Sequence, residues 1–197
     1  MDSSLYKTVN RFADRTGWLH PPAVGMAKYG VVLFALALAA AWWSGRQEEG
    51  MDALATGACT VAGLFLALGA GQLIAHSVAR VRPYYSIAGV HVLVARSGDF
   101  SFPSDHATMA GAVAAGLWLV DRRLGAVTAV LAVLMALARV YVGAHYPGDV
   151  VAGLALGAVV TVALNALAAR HVARLLSRLA ETPAGLLVGA GGRTERV

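Results

Sequence analysis

Long apolar blocks alternate with short polar segments along this chain. The apolar residues run continuously rather than in a stripe of 3.6-residue period, as expected of helices surrounded by lipid or by one another. Five blocks have about the length that crosses a bilayer, and they cover residues 26–43, 51–79, 104–120, 124–142 and 147–168. The pattern therefore predicts an all-α integral membrane protein built as a bundle of about five transmembrane helices.

Polar and helix-breaking residues mark the ends of these blocks. Arg82-Pro83 stops the second span, because proline cannot continue a helix. Ser104 is a natural N-cap for the third span, and Pro147 suits the first turn of the fifth. The longest loop, residues 84–102, separates the second and third spans, and a loop of this length is often functional.

The segment before the first span is polar with interspersed apolar residues. Leu5, Val9 and Phe12 lie near helical spacing, which predicts a short amphipathic helix in the membrane interface. The chain is accordingly divided into an N-terminal interfacial segment, a transmembrane domain and a basic, glycine-rich C-terminal tail, at residues 1–25, 26–168 and 169–197.

Composition agrees with a membrane protein. Of the 197 residues, 58% are hydrophobic and only 14% are charged, and the mean hydropathy is +0.63. A soluble domain of this size needs far more polar surface. The net charge of +5 does not indicate nucleic-acid binding, because the basic residues flank apolar blocks, where they anchor helices and attract anionic lipid headgroups. The single cysteine, Cys59, excludes an intrachain disulfide.

The basic residues are divided evenly between the two predicted faces, with eight on each. Setting aside Arg82 and Arg139, which function would require at their positions, leaves six against eight. Because cytoplasmic loops carry the excess of Lys and Arg, this favours a cytoplasmic C-terminus and places the face with the N-terminus outside.

The notable polar residues lie at helix ends that share that face, if each span crosses once. Ionisable groups at membrane depth are unfavourable, so such residues are functional candidates. They are Arg82 after the second span, Ser104 and His106 at the start of the third, Arg139 near the end of the fourth, and His145 and Asp149 around the start of the fifth.

These residue types suit phosphate chemistry. Arginines supply fixed charge and forked donors, and helix N-termini at Ser104 and Pro147 supply backbone N–H groups, that of Asp105 among them. The two histidines remain for catalysis, one as nucleophile and one as general acid. Asp149, four residues after His145, can hold one ring N–H so that the other nitrogen presents its lone pair. The same spacing could equally offer metal ligands.

Together these motifs resemble the type 2 phosphatidic acid phosphatase (PAP2) superfamily, which also includes the vanadium haloperoxidases. Its pattern is Lys-x6-Arg-Pro, Pro-Ser-Gly-His and Ser-Arg-x5-His-x3-Asp. The matching residues are Arg82 and Pro83, then Pro103, Ser104 and His106, then Arg139, His145 and Asp149. The resemblance covers residues 51–168 and implies a PAP2/haloperoxidase-like core.

The resemblance also implies a role for each matched residue. His145 would be the nucleophile that forms a phosphohistidine, Asp149 would orient it, and His106 would protonate the leaving group. The phosphoryl oxygens would be held by Arg82, Ser104 and Arg139.

Three positions depart from the family pattern. Ala75 stands where the first motif has lysine, Asp105 replaces a glycine and Ala138 replaces a serine. The contact of the missing lysine is therefore absent or supplied by His76 or Arg80. The further candidate substrate contacts are His76, Arg80 and Tyr84.

The Pro-Ser-Asp-His form after Ser101-Phe102 resembles the bacterial undecaprenyl-pyrophosphate phosphatases of the bacitracin-resistance type. The resemblance implies a metal- and cofactor-independent phosphatase of the bacterial cell membrane that converts undecaprenyl pyrophosphate to undecaprenyl phosphate on the outer face. This recycles a carrier lipid of cell-wall synthesis. The oligomeric state is not indicated.

Other functions stay open. A broader lipid phosphatase would act on phosphatidylglycerophosphate or phosphatidate. The missing lysine motivates a non-catalytic lipid-phosphate binder or transporter, although such a protein has no need of two histidines and Asp149. A metal-dependent phosphatase is a further alternative.

Overall fold

Helices account for most of the described chain. The computed structural model describes residues 1–47 and 51–180, and no strand occurs among them. A single 3₁₀ turn, Gly17–Leu19, joins the first two helices. The helices are α1 (Asp2–Arg15), α2 (His20–Gln47), α3 (Met51–Val78), α4 (Pro83–Ser86), α5 (Asp105–Val120), α6 (Arg122–Tyr141) and α7 (Pro147–Ala180). The prediction of an all-α membrane bundle is confirmed.

Within residues 1–47 and 51–180, four segments are long and apolar enough to cross a membrane, and they are Gly17–Gly45, Met51–Ser86, Arg122–Tyr141 and Pro147–Ala180. The remaining bundle helix, α5, has only 16 residues and packs against α3, α6 and α7. Most of its residues are buried. The bundle therefore has a short central helix whose N-terminus can lie below the ends of its neighbours.

Small residues let α5 and α7 approach until their backbones touch. A Cβ added at Gly157 would overlap the carbonyl oxygen of Thr108, and one added at Gly111 would overlap that of Leu154. Close approach of this kind is how membrane helices associate, since lipid provides no hydrophobic drive between them. It fixes the N-terminal halves of α5 and α7 relative to each other.

Two helices run farther than the sequence pattern indicates. α2 begins at His20, with Pro21 and Pro22 in its first turn, where the missing N–H groups have no intrahelical partner to lose. α7 continues unbroken to Ala180, beyond the predicted end of its span at residue 168, because no helix breaker intervenes. The division into three segments stays a prediction, and residues 181–197 of the tail lie outside the described residues.

The predicted N-terminal helix forms as α1, and it packs on the bundle mainly through the side that carries Tyr6, Asn10 and Ala13. Tyr6, Asn10 and Ala13 are buried, whereas Leu5 and Phe12 are more than half exposed. α1 therefore exposes part of its predicted apolar side, although Val9 packs against the core and the ring centre of Phe12 lies 6.3 Å from that of Tyr141.

Candidate active site

The six polar residues gathered by the topological argument lie around one end of the bundle. A cavity of about 340 Å³ opens there, and Arg82, His106 and Arg139 line it. Lys28 of α2 and Asp99 of the long loop line the same cavity. The pattern of helix ends thus predicts where these groups meet, although it does not reveal Lys28 or Asp99.

A glycine turn sets His145 in place after α6. Gly143 has a φ of +83°, and a Cβ there would lie 2.6 Å from the carbonyl oxygen of His91. Glycine is favoured at such a position, because other residues are strained in this conformation. The turn lets Ala144 donate its N–H to the carbonyl of Arg139 at 3.1 Å and directs His145 inward, where only 2% of it is exposed.

The hydrogen bonds of His145 define which ring nitrogen is free. Nδ1 lies 2.8 Å from the carbonyl oxygen of Ser101, which can only accept, so Nδ1 carries the proton. Nε2 then presents its lone pair, 3.1 Å from Nη1 of Arg82 and 3.3 Å from Nη2 of Arg139. The unprotonated nitrogen of this imidazole therefore lies between two guanidinium groups that suit phosphoryl oxygens.

Burial lowers the pKa of the His145 imidazole below its usual range. The nearby carboxylate of Asp149 acts in the opposite direction, and the charges of Arg82 and Arg139 lower the pKa further. The balance favours the uncharged ring, which is the form that can act as a nucleophile.

Asp149 is fully buried but does not contact the imidazole directly. Its Oδ2 lies 3.8 Å from Nδ1 of His145, which is too far for a hydrogen bond. The carboxylate instead accepts from the hydroxyl of Ser101, from the backbone N–H of Tyr146 at 2.9 Å and from Arg80 at 2.6 Å. Ser101 thus connects the pair, since its hydroxyl binds Asp149 while its carbonyl binds His145.

Arg82 is buried and held on three sides. Its Nε and Nη2 donate to the two carboxylate oxygens of Asp99, at 3.1 and 2.9 Å, and its Nη1 donates to the carbonyl of Ala144 at 3.0 Å. Arg139 is fixed more lightly, through a 3.3 Å hydrogen bond from Nη1 to the carbonyl of Ala27. Its Nε has no partner among the described residues. Both guanidinium groups therefore keep donors for a ligand.

Ser104 precedes α5 as predicted, but its side chain does not cap the helix. Its Oγ is buried without a hydrogen-bond partner among the described residues. None of those residues accepts from the backbone N–H groups of Asp105 and His106 either. An unsatisfied buried hydroxyl at an open helix N-terminus is a ready donor set for an anion.

The second predicted anion site, at the N-terminus of α7, is closed. The N–H of Gly148 donates to Oδ1 of Asp2 at 2.9 Å, and that of Asp149 donates to the carbonyl of Tyr146 at 3.1 Å. The prediction that the helix end at Pro147 offers free N–H groups to phosphate is therefore wrong, because a carboxylate from α1 already occupies it.

His106 is half-buried in the first turn of α5 and lines the cavity. No residue of the described chain hydrogen-bonds its ring, which leaves both ring nitrogens available to a bound molecule. The Asp105 side chain next to it accepts from the amide of Gln72 at 3.1 and 3.2 Å.

The three further candidate substrate contacts, Tyr84, His76 and Arg80, lie in different places around the site. Tyr84 lines the cavity and exchanges hydrogen bonds with the backbone of Ser97, at 3.1 and 2.9 Å. His76 packs against Phe100 in an adjoining cavity of about 210 Å³, which Ala75 also lines. Arg80 lines neither cavity. Its guanidinium binds Asp2 and Asp149 and lies 3.9 Å from the ring centre of Tyr146.

Some residues at the site were not predicted as contributors, namely Asp2, Lys28, Asp99 and Ser101. Lys28 had a usable signal, because a lone cation near the start of an apolar span calls for an explanation. Ser101 and Asp99 adjoin the second motif, but nothing in their spacing reveals their partners. Asp2 could not be found at all, since its contacts lie 78 and 146 residues away.

The sequence is similar to a known protein family and to individual members of it. A model of the PAP2 superfamily matches residues 53–172. The chain is 29% identical over 160 residues to undecaprenyl-diphosphatase BcrC of Bacillus subtilis, covering 81% of this chain and 80% of that protein. It is 30% identical over 159 residues to putative undecaprenyl-diphosphatase YbjG of Escherichia coli, covering 80% and 77%.

The fold is also shared with a solved structure. The transmembrane PAP2-type phosphatidylglycerolphosphate phosphatase from Bacillus subtilis superposes with a TM-score of 0.62 at 21% identity, covering 84% of this chain and 83% of that one. Since the family match spans more than half of the chain and includes most of the residues that line the cavity, this multi-pass membrane protein belongs to the PAP2 superfamily.

Proposed function

We propose that this protein removes the terminal phosphate from undecaprenyl pyrophosphate, by a phosphohistidine route that needs no metal. The observation that carries the proposal is the position of Nε2 of His145, whose lone pair lies between the guanidinium groups of Arg82 and Arg139. The similarity to undecaprenyl-diphosphatases over four fifths of the chain supports the choice of substrate.

The proposed reaction has two steps. Nε2 of His145 attacks the terminal phosphorus in line, forming an N–P bond as the bond from phosphorus to the bridging oxygen breaks. His106 gives its proton to that oxygen, which leaves on undecaprenyl phosphate. A water molecule then attacks the phosphohistidine while His106 takes its proton, so inorganic phosphate leaves and both histidines return to their starting forms.

Stabilisation of charge on the transferred group is the main contribution that a protein makes to phosphoryl transfer. Arg82 and Arg139 supply charged donors, and the Oγ of Ser104 and the backbone N–H of Asp105 supply neutral ones. The buried and unsatisfied state of that hydroxyl supports this assignment. Asp149 acts through Ser101, which fixes the proton on Nδ1 of His145.

Lys28 is the best substitute for the missing lysine of the first motif. Ala75 occupies that position and lines the adjoining cavity, and Arg80 is bound to two carboxylates. Lys28 lines the same cavity as Arg82, His106 and Arg139. A flexible ammonium there suits the second phosphate of a pyrophosphate.

Phosphate release from undecaprenyl pyrophosphate in detergent, with chelator present, tests the proposal. We expect release by the wild type and none by His145→Ala. His171→Ala, which alters an exposed histidine of α7 far along the helix, serves as the matched control and should keep full activity. An acid-labile, alkali-stable phosphoprotein should form from substrate labelled in the terminal phosphate and be absent in His145→Ala.

The same assay separates the alternatives. The groups that surround Nε2 contact a phosphoryl group and do not read the lipid chain, so phosphatidylglycerophosphate and phosphatidate are the competing substrates. Equal rates on these lipids would replace the pyrophosphate assignment by a broad lipid phosphatase. Activity lost in chelator and restored by a divalent metal would contradict the metal-free route. No release from any of these lipids would favour a binder.

We also propose that the site faces the outside of a bacterial cell membrane, as the charge distribution favours. A cysteine introduced at the exposed Tyr85, in a Cys59→Ala background, should react with a membrane-impermeant maleimide on intact cells. Labelling that requires broken cells would place the site on the cytoplasmic face.

A further inference from the structure

The N-terminal helix reaches the site through Asp2. Its Oδ2 lies 2.6 Å from Nη2 of Arg80, and its Oδ1 accepts the backbone N–H of Gly148 at 2.9 Å. Nη1 of the same arginine lies 2.6 Å from Oδ1 of Asp149. One guanidinium therefore joins a carboxylate of α1 to the buried carboxylate behind the nucleophile.

The surroundings leave Arg80 few other positions. Its guanidinium lies 3.9 Å from the ring centre of Tyr146, and that ring packs on Tyr6 of α1 at a centroid distance of 5.5 Å. A cation over an aromatic face is attracted to it, which adds to the two ion pairs. α1 thus contributes both the second carboxylate and part of the aromatic wall.

The same contact holds the first turn of α7. A Cβ at Gly148 would lie 2.8 Å from Oδ2 of Asp2, so the carboxylate sits directly against the backbone there. Gly148 is three residues from His145, and the intervening Tyr146 donates its N–H to Asp149. A shift of Asp2 would therefore displace both the Arg80 side chain and the backbone that carries the site.

Burial explains why the second carboxylate matters. The Asp149 side chain is 0% exposed, whereas those of Arg80 and Asp2 are 28% and 30% exposed. A buried carboxylate depends on its ionic partner, and a partly exposed arginine held by one carboxylate alone can turn toward water. The ion pair with Asp2 keeps the Arg80 side chain from turning toward water.

We propose that Asp2 is a positioning residue for the reaction, an inference that rests on the proposed function. It holds Arg80 against Asp149 and fixes the first turn of α7, so that Ser101 and His145 keep their alignment. It touches neither the cavity nor the phosphate.

The test compares purified full-length wild type, Asp2→Asn and Asp14→Asn in the phosphate-release assay. Asparagine keeps an acceptor for Gly148 and removes the charge that faces Arg80. Asp14 belongs to the same helix, but its carboxylate pairs with His91, so its variant controls for the docking of α1 in general. We expect kcat of Asp2→Asn to fall about tenfold with KM changed less than about twofold, as for a small misalignment of reacting groups. Asp14→Asn should match the wild type.

Three further variants separate alignment from folding. Asp2→Glu keeps the charge and should retain more of kcat than Asp2→Asn. The double variant Asp2→Asn/Arg80→Gln should be no slower than Arg80→Gln alone, because both changes break one chain of contacts. Additive losses would mean that Asp2 acts on something else.

The outcomes distinguish the two proposals. An active wild type whose kcat is unchanged by Asp2→Asn, or falls equally in Asp14→Asn, overturns the role of Asp2 and leaves the proposed function intact. A wild type that releases no phosphate from lipid pyrophosphates or monophosphates overturns the proposed function, and this inference falls with it.

Discussion

Nη1 of Arg82 lies 3.1 Å from Nε2 of His145. Because Ser101 fixes the proton on the other ring nitrogen, Arg82 can only donate toward the lone pair that would attack phosphorus. An incoming phosphoryl group therefore has to replace this hydrogen bond. One of its oxygens accepts the N–H of Arg82, and its phosphorus then approaches the lone pair of His145 that the arginine has left.

Replacing Arg82 by lysine tests this exchange. Arg82 donates to both carboxylate oxygens of Asp99 and to the carbonyl of Ala144, so a phosphoryl oxygen is a fourth acceptor, and an ammonium has only three N–H donors. We therefore expect kcat/KM to fall by about 100-fold, the range seen when one charge-stabilising donor is removed. Steady-state kinetics on undecaprenyl pyrophosphate measures the loss. Arg96→Lys is the matched control, since Arg96 is exposed and lies 5.7 Å from the ring centre of Tyr84. Equal losses in both variants would exclude a special role for Arg82.

The carboxylate of Asp99 occupies donors of Arg82 that a phosphate would use. Its side chain is 58% exposed, and an ion pair this open contributes little free energy, so phosphate can displace it. Asp99→Asn should lower the inhibition constant of inorganic phosphate by about two- to fivefold, the range set by an exposed ion pair of up to about 1 kcal/mol. An unchanged or higher inhibition constant would mean that Asp99 instead helps Arg82 to bind phosphate.

The activity of the free enzyme should persist into mildly acidic solution. Burial lowers the pKa of His145, so the neutral ring survives below the value of about 6.5 that is usual for histidine. Arg82→Gln removes a charge that lowers the pKa, and the acid limb of kcat/KM should move to higher pH. Asp149→Asn removes a charge that raises the pKa, and the limb should move to lower pH. Shifts in the same direction would refute this assignment of the limb.

Lys28→Gln tests the substitute for the missing lysine. We expect KM for the pyrophosphate lipid to rise about tenfold, because removal of one charge-assisted contact costs about 1.4 kcal/mol of binding. Ala75→Lys in that background should restore part of the loss by placing an ammonium beside Arg82. Lys7→Gln, an exposed change on α1, controls for net charge. A normal KM for Lys28→Gln would remove Lys28 from the site.

The contact between α5 and α7 predicts a stability difference between two glycines. Gly157→Ala would force a methyl group into the carbonyl of Thr108 and should destabilise the bundle by about 1–3 kcal/mol, as overpacking does. Gly69→Ala is the matched control, because its added Cβ meets no atom of the described residues within 4 Å beyond its chain neighbours and the adjoining backbone of α3. Thermal melting in detergent compares them. Equal melting temperatures for the two variants would show that α5 and α7 can move apart to accept the methyl group without loss of stability.

Sequence reasoning succeeded where position along the chain determines position in space. Helix ends that must share a membrane face brought Arg82, His106 and Arg139 to one cavity, and Nε2 of His145 lies against the two arginines. The α3 and α5 boundaries fell within a residue or two of the predicted ones. It placed the N-cap at Ser104 correctly but could not show that the hydroxyl stays unsatisfied, because that depends on what packs around it.

The failures arose from contacts that only packing creates. The spacing of His145 and Asp149 suggested a direct hydrogen bond between them. The chain between the two residues leaves a turn and enters α7, and the carboxylate of Asp149 accepts hydrogen bonds from the Tyr146 N–H and from Arg80 instead. It therefore lies 3.8 Å from the imidazole ring nitrogen. The N-terminus of α7, predicted to be open, is occupied by the carboxylate of Asp2. No local sequence pattern predicts a contact between residues this far apart along the chain.

α7 runs as one unbroken helix from the end of the bundle that carries the cavity to the opposite side of the membrane. With 34 residues the helix is about 50 Å long, whereas the hydrocarbon layer is about 30 Å thick, so several turns extend past the lipid tails on the side away from the cavity. Those turns carry Arg174 and Arg178, and the other end carries Asp149. One continuous helix therefore joins these arginines to the buried carboxylate, with no loop between them.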